Sequence, residues 1–129
     1  MAHLAQIQYA YNKGGGAYDF SDSFAYVSDY ISDSDISIGN YETTTNPNLA
    51  YAGFPRFNAP KEYLSAIKDA GFDVLSTANN HSLDTEVEGL FTTIEAMDEL
   101  GIDHVGSKKS GQSRILYKNV NGIKLAFLA

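Results

Sequence analysis

The stretch Phe72-Asp73-Val74-Leu75-Ser76-Thr77-Ala78-Asn79-Asn80-His81-Ser82-Leu83-Asp84 constrains the fold more than any other part of the chain. Its apolar first part is short and fits a buried strand, whereas the residues after Asp84 repeat apolar side chains at helical spacing. A strand running through a polar turn into a helix is half of a βαβ unit, which calls for a parallel neighbour and a right-handed crossover. The polar turn then sits at the carboxyl end of a strand, where loops of open α/β sheets converge on ligands. Asn79, Asn80, His81 and Asp84 place two amides, an imidazole and a carboxylate there. Such groups are oxygen and nitrogen donors, one of them able to carry a proton. The same residues have a plain structural use, since Asn favours turns and Ser82 or Asp84 suits a helix N-cap.

The rest of the chain supplies the neighbours. Leu4, Ile7 and Tyr11 predict a short helix, broken by Lys13-Gly14-Gly15-Gly16; no strand precedes these glycines and no Lys-Ser/Thr follows, so a flexible loop is expected rather than a phosphate cradle. Ser21 or Asp22 can cap a helix with Phe24, Val27 and Ile31 on one face, and residues 34–39 alternate as a strand does. That strand runs into Asn40-Tyr41-Glu42-Thr43, a second polar cluster expected on the same edge as Asn80 and His81. Residues 46–59 show no period and predict an ordered surface loop, in which Arg56 either meets an anion at the site mouth or is a solvated or salt-bridged charge.

Pro60 opens a helix striped by Tyr63, Leu64, Ile67 and Ala70 and stopped by Gly71; Val87, Leu90, Ile94, Met97 and Leu100 stripe another, closed by Gly101. His104-Val105-Gly106 reads as a third parallel strand, and residues 115–120 and 123–128 form a hairpin about Asn121-Gly122. The predicted class is therefore α/β: a parallel sheet flanked by helices, with a C-terminal β-hairpin.

At 129 residues the chain is one domain at most. A net charge of -7 repels phosphate backbones, so nucleic acid is not an expected partner. The absence of cysteine removes disulfides, thiolate metal sites and cysteine nucleophiles. No apolar run approaches the roughly 20 residues of a membrane helix and no signal-peptide pattern opens the chain, which reads as soluble.

Several segments together resemble the bacterial capsule synthesis family of CapA-type poly-gamma-glutamate synthesis proteins. They are Met1-Ala2-His3-Leu4, Ile38-Gly39-Asn40-Tyr41-Glu42-Thr43, Phe57-Asn58-Ala59-Pro60, Gly71 through Asp84, and Val120 through Leu128, in family order; the segment ending Asn-Asn-His-Ser-Leu-Asp is the specific one. That family is similar to the calcineurin-like metallophosphoesterases, whose four-layered fold holds two metal ions at the carboxyl ends of its strands. The resemblance implies that Glu42 ligates or bridges metal, that Asn80 ligates through its amide oxygen and that His81 acts near the leaving group. His3, Asn40, Asn79, Asp84 and Arg56 would then support the site or the substrate. The implied cofactor is a divalent ion, manganese, iron, magnesium or zinc, able to polarise a phosphoryl or acyl group and activate water.

Family members also carry a Gly-Asp pair upstream of the position of Met1 and continue past that of Ala129 into a half with further histidines. Residues 1–129 are therefore expected to be a partial domain, the N-terminal half of the four-layer sandwich, with an incomplete ligand set that binds metal weakly or not at all and gives no activity alone. The implied parent is an envelope-associated or extracellular bacterial protein acting on an anionic polymer or its precursor beside other capsule-synthesis proteins. The alternative is a non-catalytic module that binds a polyanion or sugar and self-associates through an open sheet edge near Leu125 to Leu128.

Overall fold

Three short strands, each followed by a polar turn, set the architecture. The computed structural model describes residues 1–129, which form α1 (Leu4–Lys13), a 3-10 turn (Ser21–Ser23), α2 (Ser28–Ser32), β1 (Ile38–Asn40), α3 (Lys61–Asp69), β2 (Val74–Ser76), α4 (Glu86–Leu100), β3 (Asp103–Val105), β4 (Leu116–Val120) and β5 (Ile123–Phe127). β1, β2 and β3 are parallel neighbours in that order, with Asn40, Ser76 and Val105 in one row. That row brings three carboxyl ends to a single rim. β4 and β5 make a separate antiparallel hairpin whose turn residues Asn121 and Gly122 both have positive φ, as a two-residue turn matched to strand twist requires. The class is the α/β arrangement expected, and no helix is long and apolar enough to cross a membrane.

The central strand is enclosed because both neighbouring helices bury apolar side chains against it. Leu64 and Ile67 of α3, Leu75 of β2, and Ala96 and Met97 of α4 join Tyr41 and Ile102 in one cluster. Fully burying a side chain of the size of Leu, Ile or Met stabilises by roughly 1.5–3 kcal/mol. A second cluster, Ala2, Ile7, Ala10, Phe20 and Ala59, lies beneath α1, and the Tyr63 ring packs against both.

Between strand β1 and the following loop runs a buried polar strap, Thr43-Thr44-Thr45-Asn46. Its groups are paired across the fold: Thr44 Oγ1 donates to the Phe57 carbonyl at 2.8 Å, Thr45 N donates to Thr93 Oγ1 at 2.7 Å, and Thr85 Oγ1 donates to Thr44 Oγ1 at 2.7 Å. Asn58 closes the other side, accepting from Asn46 N at 2.8 Å and donating to the Asn46 carbonyl at 3.0 Å. Residues 57–59, at the end of the loop expected on the surface, are consequently all buried.

Three expectations need correction. No continuous helix covers residues 21–31, because the side chains meant to cap it are engaged elsewhere: Lys13 Nζ donates to Ser21 Oγ at 2.6 Å and ion-pairs with Asp22 at 2.8 Å. The first strand is confined to Ile38–Asn40 rather than spanning 34–39, since Asp73 and the Ile31 carbonyl capture the Ser37 amide and hydroxyl at 2.8 and 2.7 Å. Helix α4 turns Gly89, Thr93, Ile94, Ala96 and Met97 inward and leaves Val87 58% exposed, because its inner face meets the polar strap.

Two measurements check this account. A methyl group on Gly89 would strike Thr85 Oγ1, which donates to Thr44 of the strap, so Gly89→Ala should cost about 1–3 kcal/mol and lower the thermal midpoint; an unchanged midpoint would mean that Thr85 is not held between α4 and the strap. The second concerns Asp19, which the Ser21 hydroxyl and amide and then the Lys13 ammonium hold at about 2, below its usual 3.8. A depressed carboxylate stabilises the fold above its unfolded value and loses that effect as pH falls through the folded one. The midpoint difference between the natural chain and Asp19→Asn should hold above about pH 5 and shrink toward pH 2; a difference constant across that window would contradict the clamp.

Candidate functional site

The parallel ladder continues beyond the strands, and that continuation builds the site. Tyr41 N donates to the Ser76 carbonyl at 2.8 Å and Thr77 N donates to that of Val105 at 2.9 Å, so the segments leaving β1 and β2 stay side by side. The β3 exit is drawn in as well, with Ser107 N donating to Thr77 Oγ1 at 2.7 Å. This approach needs Gly106, whose φ is +111° and whose missing Cβ would lie 2.7 Å from Ala78 N. Tyr41 is buried beneath the rim; burial pushes its phenol well above the usual value, and its hydroxyl pairs with Thr45 Oγ1 at 2.6 Å.

On this rim Glu42 and His81 are linked by amides. Asn40 Nδ2 donates to Glu42 Oε2 at 3.1 Å, Asn79 Nδ2 donates to Asn40 Oδ1 and to the Tyr41 carbonyl at 3.0 Å each, and Asn79 Oδ1 accepts from His81 N at 3.0 Å. Asn79 thus makes the turn its type favours and also bridges two strand ends. Asn80, beside it, is exposed, and its side-chain amide makes no hydrogen bond.

Asp84 does not cap α4. Its Oδ2 lies 2.7 Å from His81 Nδ1 and accepts from Phe57 N at 2.6 Å, and both the Asp84 and His81 side chains are largely buried. With a carboxylate as partner, Nδ1 is the donor, which leaves Nε2 as the nitrogen free to meet a ligand. The Phe57 ring stands edge-on to His81, centroids 4.7 Å apart, and to His3 at 5.1 Å. His3 therefore belongs to the same neighbourhood through Phe57. The Met1 amino group is close as well: partial burial lowers its pKa and the Glu42 carboxylate opposes that shift. Arg56 ion-pairs with Glu86 at 2.7 Å, and both side chains are well exposed.

Glu42, Asn80 and His81 offer a carboxylate, a free amide and an imidazole nitrogen, donor types that fit a divalent ion. Their number is small, and no three His, Asp or Glu side chains gather anywhere in the chain. The donors present fit part of a coordination shell. Residue types pointed to the turn of Asn79, Asn80, His81 and Asp84 and to Glu42, and the family resemblance singled out Glu42, Asn80 and His81; neither assigned a role to Phe57, whose contribution is a backbone N–H and a ring edge. Its signals were an aromatic residue in an aperiodic loop and a place in the segment Phe57-Asn58-Ala59-Pro60 that shares in the family resemblance.

Comparison with known proteins agrees with this arrangement of segments. The family model described as bacterial capsule synthesis protein PGA_cap matches residues 1–129. A "Capsule biosynthesis protein CapA" of Bacillus anthracis is 36% identical over 112 residues, covering 81% of this chain and 27% of that protein. The "PGA biosynthesis protein CapA" of Bacillus subtilis (strain 168) is 32% identical over 111 residues, 81% of this chain and 29% of the relative. An uncharacterized protein of Sinorhizobium fredii is 34% identical over 95 residues, 67% of this chain and 20% of its own length. The chain thus spans well under a third of each of these relatives, and by the match over its whole length it belongs to the bacterial capsule synthesis family PGA_cap.

Proposed function

We propose that these residues are one part of a metallophosphoesterase-like centre in a CapA-type capsule-synthesis protein. Glu42 and Asn80 hold a divalent ion, manganese, iron, magnesium or zinc, and His81 handles the proton at the leaving oxygen. The observation that supports this reading best is the unbroken path of hydrogen bonds from Glu42 through Asn40 and Asn79 to His81. It ties an acid leaving one strand end to the backbone of the histidine leaving the next.

When bound, such an ion supplies positive charge that polarises a phosphoryl or acyl oxygen. This chain's own residues do the rest. Asn40 fixes one oxygen of Glu42, leaving the other for a ligand. Asp84 keeps the Nδ1 proton in place, so His81 gives or takes a proton at Nε2. Arg56, neutralised by Glu86, serves an anionic polymer or its precursor only when that pair opens. Because these ligands replace little of an ion's water shell, residues 1–129 alone bind metal weakly and turn nothing over, and activity needs the rest of the protein. Other capsule-synthesis proteins are the natural partners of the whole.

The test is a manganese titration followed by broadening of backbone resonances. Broadening should centre on Glu42, Asn80 and His81, and Glu42→Ala and Asn80→Ala should each weaken it at least about tenfold, the low end of what even outer-shell partners of metal ligands contribute. Tight binding undiminished in both variants would put any ion elsewhere.

A second reading, a self-associating assembly module, is supported by the hairpin. Neither of its strands contains a buried residue, it lies outside the parallel sheet, and Tyr117, Ile123 and Leu128 are more than half exposed. An unpaired apolar edge invites another strand. Sedimentation velocity should then show dimers at high concentration that Ile123→Lys dissolves; a monomer at every concentration would remove this reading.

A further inference from the structure

We propose that Phe57 is the positioning residue of His81: the loop that precedes α3, not the turn bearing the histidine, sets the ring orientation that keeps Nδ1 on Asp84 and leaves Nε2 for a ligand. This inference rests on the role given above to His81. The turn itself restrains only the histidine backbone, through Asn79 Oδ1 on His81 N and the Ser82 hydroxyl on the Asn79 carbonyl. Two contacts restrain the ring, Asp84 Oδ2 at Nδ1 and the Phe57 ring standing edge-on to it at an interplanar angle of 87°. The first also traces to Phe57, because Phe57 N donates to that same Asp84 oxygen at 2.6 Å.

Phe57 is itself immobile. It is 2% exposed, and its carbonyl accepts from both the Thr44 hydroxyl at 2.8 Å and the Thr44 amide at 3.3 Å. Reciprocal bonds between Ala52 and Asn58, at 2.9 and 3.0 Å, close the loop around it. A rigid path therefore runs from the threonine strap through Phe57 to the imidazole. Were the ring to turn over about its χ2 axis, Nδ1 would leave Asp84 and the carbon Cε1 would take the place of Nε2. Phe57 touches no reacting atom in this scheme and acts only through the orientation of His81.

The measurement is proton and nitrogen NMR of the imidazoles in this chain without metal. In the natural sequence His81 should show a single tautomer, a hydrogen-bonded Nδ1 proton and cross-peaks to the Phe57 ring. Phe57→Leu keeps the backbone N–H and much of the apolar volume but removes the ring edge. The preference for that orientation should fall about two- to tenfold, the usual worth of an aromatic pair, while signals of His104, which pairs with Asp98, stay unmoved. Unchanged His81 signals in Phe57→Leu would overturn the proposal, as would an averaging His81 ring or absent Phe57 cross-peaks in the natural chain. If His104 collapses too, the leucine variant has unfolded; Phe57→Met then takes its place, and the natural-chain spectrum still decides. Because no metal is present, this result and the manganese titration can fail independently.

Discussion

The hydrogen bonding of Thr44 is the interaction on which the arrangement depends. Its hydroxyl donates to the Phe57 carbonyl and accepts from Thr85, and its backbone pairs with Phe57 and Ala59. One residue thereby joins the exit of β1, the loop before α3 and the start of α4. Buried polar groups are costly when unpaired, so this segment has one low-energy setting rather than several. A purely apolar strap could slide; a bonded one cannot without orphaning donors. Asn46 Nδ2 is the strap's one side-chain atom without a partner.

That constraint explains how short strands hold a precise rim. Each strand of the parallel sheet has only three residues, too few for ladder bonds alone to fix the loops beyond them. The fixing is done by side chains past the strand ends: Thr77 to the β3 exit, Asn79 to the β1 exit, and Thr44 to the loop carrying Phe57. Polar residues crowd the carboxyl ends of these strands partly because they must finish what the ladder begins. The same residues are the candidate ligands' neighbours, so stability and site geometry are not separable here.

What the amino-acid order disclosed follows from how local each signal is. The hairpin was legible because Asn121-Gly122 carries its own turn chemistry, and the central strand and helix were legible from Phe72 to Leu100 because a change of period marks their junction. Glu42, Asn80 and His81 stood out through their types and their places after strands. The helix expected at 21–31 failed because Lys13, distant along the chain, takes the capping side chains. The buried face of α4 was misjudged at Val87 because apolar periodicity cannot register a core that is polar on one side, where Gly89 and Thr93 face the strap. Phe57 and Asn58 were hidden for a related reason: Phe57 is held by its own N–H and carbonyl and Asn58 by the main chain of Asn46, Leu49 and Ala50, and backbone leaves no trace in composition.

The electrostatics of the rim bear on what it can receive. The chain carries a net charge of -7, and a carboxylate polymer approaching such a surface is repelled unless positive charge is supplied locally. Arg56 is neutralised by Glu86, and no lysine, arginine or histidine side chain forms an ion pair with Glu42. Amides dominate instead: Asn40, Asn79 and Asn80 present dipoles that tolerate either sign of ligand. A rim built from amides and one carboxylate is better matched to a cation than to an anion.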